Sequence, residues 1–425
     1  METLYTWLFL MISLWRFFKM KLKDYIHDGW QRTIRFNNQD EGTLIGLPNP
    51  YTVPSENERF QEMYYWDTYF INRGLILSGL LEQAINNTEN MFYLIERYGF
   101  MPNGNRTFYL NNSQPPFLSL MVDDIYNETK DNVWLAKAVG ILEKEHFFWD
   151  TKRKTAIGLN QYSCNKQGAI AEKKYEGFIE RIGKRPEGHS DEDLSCQYIT
   201  ICESGYDINP RWGFETENFV QVELNALLYA LESNLAKFYR ILGIDGAEKW
   251  DEKAQNRKKL MEKYMLKNGI FNDYNFKTGK ISDVFSGACY YPLFVGLVSD
   301  EQAKALVENL YRLETDYGVK ATEYQATDYT YQWQAPNGWA PHQNLVIQGL
   351  AKYGYNNDAK RIAKKYSYLV EKNYEENHNL WEKYNIVTGS IDVADESSER
   401  HAELPPMLGW SAAVYLEAKK FSEEN

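Results

Sequence analysis

The sequence predicts an all-α protein whose helix pairs close into an α/α toroid. Three observations carry that prediction. From residue 60 onward, apolar side chains recur mainly at three- and four-residue spacing, as on one face of a helix. Strand-like alternation is scarce, and no Ser/Gly-rich or low-complexity stretch divides the chain. A short motif also repeats. Gly269 to Gly279 and Asn379 to Gly389 agree at Tyr274/Tyr384, Asn275/Asn385, Thr278/Thr388 and Gly279/Gly389, each after a helical stretch. Repeated helix pairs need neighbours to bury their faces, and a ring gives every pair two of them.

The 425 residues are 44% hydrophobic, enough for a sizeable core. Net charge is −12 with no basic block, which excludes the Lys/Arg surface that nucleic acid demands. Aromatic content is high at 15%, with 32 Tyr and 12 Trp, which fits carbohydrate handling. Cys164, Cys196, Cys202 and Cys289 form no C-x-x-C pair and sit near no zinc-like His spacing. They read as reduced, buried thiols in a cytoplasmic protein, with a Cys196–Cys202 disulfide as the alternative. No metal or organic cofactor is expected.

In chain order, Leu4 to Leu14 is an apolar run too short to span a bilayer. A Glu precedes it instead of a basic region, and no small-residue cleavage site follows. Residues 1–19 read as an upstream extension, or as a weak anchor, with no membrane span expected. Residues 20–425 read as one domain.

Arg59 to Phe70 holds six aromatic residues together with Arg59, Glu62 and Asp67. Buried charges need partners. Flat rings beside carboxylates and an Arg suit a sugar, whose C–H faces stack on rings and whose hydroxyls bind ions; a surface helix with its charges outward is the plain alternative. Further along, Val122 to Glu128 carries Asp123 and Asp124 on one predicted helix, as a metal–diphosphate site would require. It has no second metal motif to accompany it. Phe219 to Leu242 has apolar residues at helical spacing (Leu224, Leu227, Leu228, Leu231, Leu235). Asn344 to Tyr353 and Asp358 to Lys372 read as two helices around the turn Gly354–Asn357.

Cleaving a glycosidic bond usually takes two carboxyl groups, and 59 Asp and Glu cannot be sorted by counting. Four longer strings sort them. Arg59 to Tyr69 reads Arg-Phe-x-Glu-x-Tyr-x-Trp-Asp-x-Tyr, and Gln332 to Pro341 reads Gln-Trp-Gln-Ala-Pro-Asn-Gly-Trp-Ala-Pro. Glu203 to Trp212 reads Glu-Ser-Gly-Tyr-Asp-Ile-Asn-Pro-Arg-Trp, and Arg185-Pro186-Glu187 stands upstream of it. Together these resemble the motifs of the trehalase family of glycoside hydrolases.

The resemblance covers about residues 50 to 415. It implies an (α/α)6 barrel with the site at one mouth, and an inverting α-glycosidase splitting α,α-trehalose into two glucoses. Asp207 would be the general acid. Arg59, Trp66, Asp67, Asn103, Arg185, Glu187, Trp333 and Trp339 would bind sugar. Glu382 to Asn385 and Leu408 to Trp410 resemble the ends of the family's base region, but the glycine run between them is replaced by Asp395 to Glu403. Glu399 is the first candidate base there, with Glu396 and Glu403 as alternatives. Asn112 and Gln334 stand where the family carries charged residues, which puts the leaving-group half of the pocket in doubt. Hydrolysis of a different α-glycoside, or sugar binding without catalysis, are the competing functions.

Overall fold

A computed structural model describes residues 20–56, 60–393 and 409–424. Fifteen helices are described, and we number them α1–α15. They are α1 Leu22–Thr33, α2 Tyr65–Leu77, α3 Leu81–Tyr98, α4 Leu118–Thr129, α5 Asn132–Lys152, α6 Lys166–Ala171, α7 Tyr175–Ile182 and α8 Asp191–Glu203. The remainder are α9 Val222–Leu242, α10 Ala247–Met265, α11 Tyr291–Phe294, α12 Asp300–Glu308, α13 Ala340–Lys352, α14 Asn356–Asn377 and α15 Gly409–Glu423.

Six helices pack side by side into a closed inner ring, in the order α2, α4, α9, α11, α13, α15 and back to α2. Helices α3, α5, α10, α12, α14 and α1 take the outer positions. Helix α10 lies along α9, and α14 bridges α13 and α15. The short α11 is extended by a 3-10 turn over Gly287–Tyr290 and tied to α12 by the Tyr290 hydroxyl, which donates to the Leu306 carbonyl at 3.0 Å. The inner helices are buried nearly all round. In α2, ten of thirteen residues are buried, Asp67 and Asn72 among them. Such a helix has two packing faces, one toward the ring and one toward the outer layer.

The sequence repeat is a repeat of structure. Asn275 Oδ1 accepts from the backbone N–H of Lys277 and Thr278, and Asn385 Oδ1 accepts from Val387 and Thr388. Gly279 and Gly389 close the two turns at φ of 73° and 72°, where a side chain would be strained. Each turn follows an outer helix. Its strand pairs antiparallel with the residues entering that helix's inner partner: Tyr274 with Val220 before α9, and Tyr384 with Gly338 before α13. The Asn and Gly are therefore kept for a turn that ties the start of a helix pair to its end.

Element boundaries moved for local reasons. Phe219–Val220 are drawn out of the expected helix by this pairing. Helix α13 starts at Ala340 because Pro341 is tolerated in a first turn. In α4, Asp123 is bound to Lys237 and Asp124 to Arg73, so these aspartates neutralise cations. Among the described residues no three His, Cys, Asp or Glu side chains form a metal-ligand group, and no helix is long and apolar enough to cross a membrane. The apolar run Leu4 to Leu14 lies outside the described residues. All four cysteines are free thiols. Cys196 and Cys202 lie six residues apart in α8, a rise of about 9 Å, beyond the span of a disulfide.

One buried carboxyl makes fold stability depend on pH. Glu145 of α5 is 1% exposed and accepts from the Tyr65 hydroxyl of α2. Burial, partly offset by that bond, pushes it up to about 7 from an ordinary 4.5. The folded protein thus retains a proton that the unfolded chain releases. This contribution is complete below the unfolded value and is lost as pH rises to about 7, a fall on the order of 3 kcal/mol. Urea titrations from pH 5 to 8 should show Glu145→Gln gaining on wild type over that window. A constant gap would contradict the reading.

Candidate active site

The cleft opens at the mouth of the ring where the inner helices begin. Its volume is about 360 Å³, within the range of small-molecule sites. Helix α2 delivers Trp66 and Asp67 in its first turn, and Gln114 Oε1 accepts from the Trp66 N–H at 3.1 Å, satisfying a helix-end donor. Trp333 and Trp339 stack face to face, with centroids 3.9 Å apart and planes at 7°. Trp66 packs tilted against Trp333 at 5.7 Å and 45°, and Trp410 packs edge-on against Trp339 at 5.7 Å and 83°. Four indoles make a floor for a sugar face.

The segment Glu203–Trp212 crosses this floor with both ends fixed. Glu203 is fully buried and accepts from Ser113 N at 2.8 Å, Ser163 N at 2.7 Å and the Arg153 guanidinium at 2.8 Å. At the other end, Arg211 is clamped between Glu223 and Asp273, and Asp273 also accepts from Trp212 Nε1 and Val222 N. Between these anchors Gly205 adopts φ 73°, and a Cβ there would lie 2.8 Å from the Trp66 ring. Gly205 thus lets the loop lie flat on the indole. Asp207 follows, its carbonyl accepting from Gln332 Nε2 at 3.0 Å, while Ile208 O accepts from Trp333 N at 3.3 Å. The loop and the Trp333 segment are stitched together.

Among the described residues, Asp67, Asp207 and Glu382 are the carboxylates lining the cleft. Burial first, then the Glu382 and Asp207 charges, outweigh a backbone hydrogen bond and push the Asp67 carboxyl up to about 8. At neutral pH Asp67 is therefore protonated and can donate a hydrogen bond into the cleft. Glu382 arrives because Lys383–Asn385 pairs with Asn337–Trp339, setting Lys383 opposite Trp339. Trp410 Nε1 donates to the Glu382 carbonyl at 3.0 Å. Behind the floor, burial pushes His342 down to about 3, so its ring is neutral.

Over the cleft sits a hood made of α6, α7 and α8. A second apolar cluster joins it to the loop through Phe178, Ile182, Leu194, Ile201, Ile208 and Trp212. From α7 the hood presents Arg181, whose Nη1 lies 3.3 Å from Asp207 Oδ2 and donates to Tyr198 Oη at 2.9 Å.

Of the residues expected from sequence, Trp66, Asp67, Asn103, Asp207, Trp333 and Trp339 line this one cleft. Arg185 and Glu187 do not. Both are exposed on the hood, where Arg185 pairs with Asp191 at 2.7 Å. Arg181, four residues earlier and on α7, faces the cleft instead. Arg59 and Glu399, with Glu396 and Glu403, lie outside the described residues. Asn112 lines the cleft, but Gln334 accepts from Gln325 N at 3.1 Å and turns away from it. Sequence reasoning missed Arg181, Tyr198 and Glu382 as lining residues; only Glu382 stood inside a quoted motif.

Residues 15–421 match the sequence profile of a family described as Trehalase. The chain belongs to the trehalase family. It is thus a glycoside hydrolase, and its substrate is a sugar. It is 31% identical over 422 residues to a periplasmic trehalase of Xanthomonas axonopodis pv. citri (strain 306), covering 93% of this chain and 72% of that protein. It is 32% identical over 425 residues to one of Xanthomonas oryzae pv. oryzae (strain MAFF 311018), with the same coverage. Neutral trehalase Nth1 from Saccharomyces cerevisiae superposes with TM-score 0.74 at 25% identity, covering 95% of this chain and 80% of that one. A GH63 mannosylglycerate hydrolase from Thermus thermophilus, in complex with glucose, shares the fold at TM-score 0.65 and 17% identity, covering 93% and 99%. The two bacterial relatives are named periplasmic, which overturns the cytoplasmic location expected from the free cysteines. Burial, rather than compartment, accounts for Cys164, Cys196 and Cys289 as free thiols.

Gly205→Ala tests the loop geometry. Positive φ and the close Trp66 ring together should cost about 2–4 kcal/mol. A lowered melting midpoint with a lowered kcat is expected; a variant unchanged in both would show that the loop does not rest on Trp66.

Proposed function

We propose that this trehalase-family member hydrolyses α,α-trehalose to two glucoses with inversion, and that Asp207 is its general acid. The observation that carries the proposal is Asp207 itself: a carboxyl on a doubly anchored loop, at the edge of a four-indole floor, facing a cleft. Trp66, Trp333 and Trp339 would stack on the retained glucose. Asp67, protonated at neutral pH, would donate to one hydroxyl, and Asn103 would hold another. Arg59 would complete that half from the opening motif.

Asp207 would give its proton to the glycosidic oxygen as the C–O bond breaks. A carboxylate on the opposite sugar face would take a proton from water as that water attacks the anomeric carbon. Glu399 is our first candidate for that base, ahead of Glu396 and Glu403. A water between the two groups needs carboxyls separated by about 6.5–9.5 Å. The names of the two bacterial relatives support a periplasmic location for this chain as well.

The test is a hydrolysis screen over α-linked disaccharides, with NMR following the first anomer released. Trehalose should be cleaved fastest, giving one α- and one β-glucose at early times. Asp207→Asn should bind trehalose, read by tryptophan fluorescence, yet lose roughly 10²–10⁴ in kcat. Full activity in that variant would end the assignment. Preference for another disaccharide would move the substrate, and binding without cleavage of any glycoside would leave a sugar-binding protein.

A further inference from the structure

Helix α8 and the segment before α6 are held together beside the acid loop, and each contributes a thiol to the junction. Cys164 and Cys196 are in direct side-chain contact and form a small buried cluster with Ala169 and Ile199. Both are 8% exposed. The junction is already fixed by polar bonds on either side. Ser163, next to Cys164, donates its N–H to Glu203 at 2.7 Å and its hydroxyl to Glu217 at 2.8 Å. Glu203 ends the helix that carries Cys196. Asn165, on the other side of Cys164, caps α6. The two backbones are thus held by bonds that do not involve the thiols, and the two thiols meet across the junction. Cys202 and Cys289 are poor competitors. Cys202 lines the cleft, and Cys289 is fully buried in the main core.

We infer that Cys164 and Cys196 are a disulfide site, oxidised when the chain folds in oxidising surroundings. The bond would close a loop of roughly thirty residues holding α6 and α7. It would add a covalent tie to the junction that Glu203 already bridges, and so brace one anchor of the acid loop. The chemistry is thiol–disulfide exchange. A thiolate of the pair attacks an external disulfide such as oxidised glutathione, giving a mixed disulfide and one reduced thiol. The second protein thiolate then displaces the remaining glutathione, so two protein thiols are oxidised and one external disulfide is reduced. Exchange belongs to folding, before burial removes the thiols from reach and raises them further from ionisation. The inference does not depend on the assigned substrate.

The full chain, denatured and reduced, should be refolded in mixed reduced and oxidised glutathione. Thiol titration in denaturant should then find two of the four cysteines lost, with a mass lower by about 2 Da. Non-reducing digestion should yield one linked peptide joining Cys164 to Cys196. The oxidised form should melt higher than its reduced counterpart, and Cys164→Ser should abolish that difference while Cys202→Ser retains it. Four free thiols after oxidative refolding, or a link through Cys202 or Cys289, would overturn the inference. Equal melting of the two forms would overturn the bracing role.

Discussion

The site depends on two buried ion clusters that hold the ends of one ten-residue loop. At one end Glu203, without solvent exposure, gathers two backbone N–H groups and the Arg153 guanidinium. At the other, Arg211 sits between Glu223 and Asp273, and donors from Trp212 and Val222 fill the remaining acceptor positions of Asp273. Burying such charges offers little net stability over apolar residues of the same size, but removing one partner strands the others and costs about 3–5 kcal/mol. What the clusters supply is position. Arg153 lies just beyond α5, Glu223 opens α9, and Asp273 lies in the repeated turn after α10. The toroid thereby sets where Asp207 stands.

The position is useful because of what lies beneath it. The indoles of Trp66, Trp333, Trp339 and Trp410 come from three inner helices or the residues entering them, and they meet only because the ring closes. The same closure brings Asp67, Asp207 and Glu382 into one cleft, where burial and mutual repulsion keep Asp67 protonated at neutral pH. Cations enter from the hood above. The cleft is therefore divided into an aromatic and acidic floor, built by the ring, and a hood with its own small core that presents Arg181 and Lys174 to the cleft.

Much of this was legible in the sequence for definable reasons. Helix spacing and the Tyr-Asn…Thr-Gly repeat reported the ring, because the same Asn-centred turn is rebuilt after two outer helices. The strings around Trp66, Asp207 and Trp333 reported the floor, because a loop lying flat on an indole demands Gly205 and its Arg211 anchor. The hood was not legible. Arg185 stood in a motif and Arg181 did not, yet Arg181 is on α7, which packs through Phe178 and Ile182, while Arg185 lies beyond the helix end at Gly183 and points to solvent. A three-residue pattern does not report where the preceding helix ends. Gln334, expected in the pocket, instead holds the 325 backbone. Cysteine count said nothing reliable of compartment, since a buried thiol is compatible with either.

The central claim is that the anchored ends of Glu203–Trp212 place Asp207 for catalysis. Glu203→Gln tests it most directly. It keeps the side chain's shape while removing the charge that faces Arg153 and two backbone donors. The measurement is kcat on trehalose beside the sugar dissociation constant from tryptophan fluorescence. The account predicts a kcat loss on the order of 100-fold with sugar binding by the floor changed only a few-fold. Wild-type kcat in a variant that folds cooperatively would contradict it.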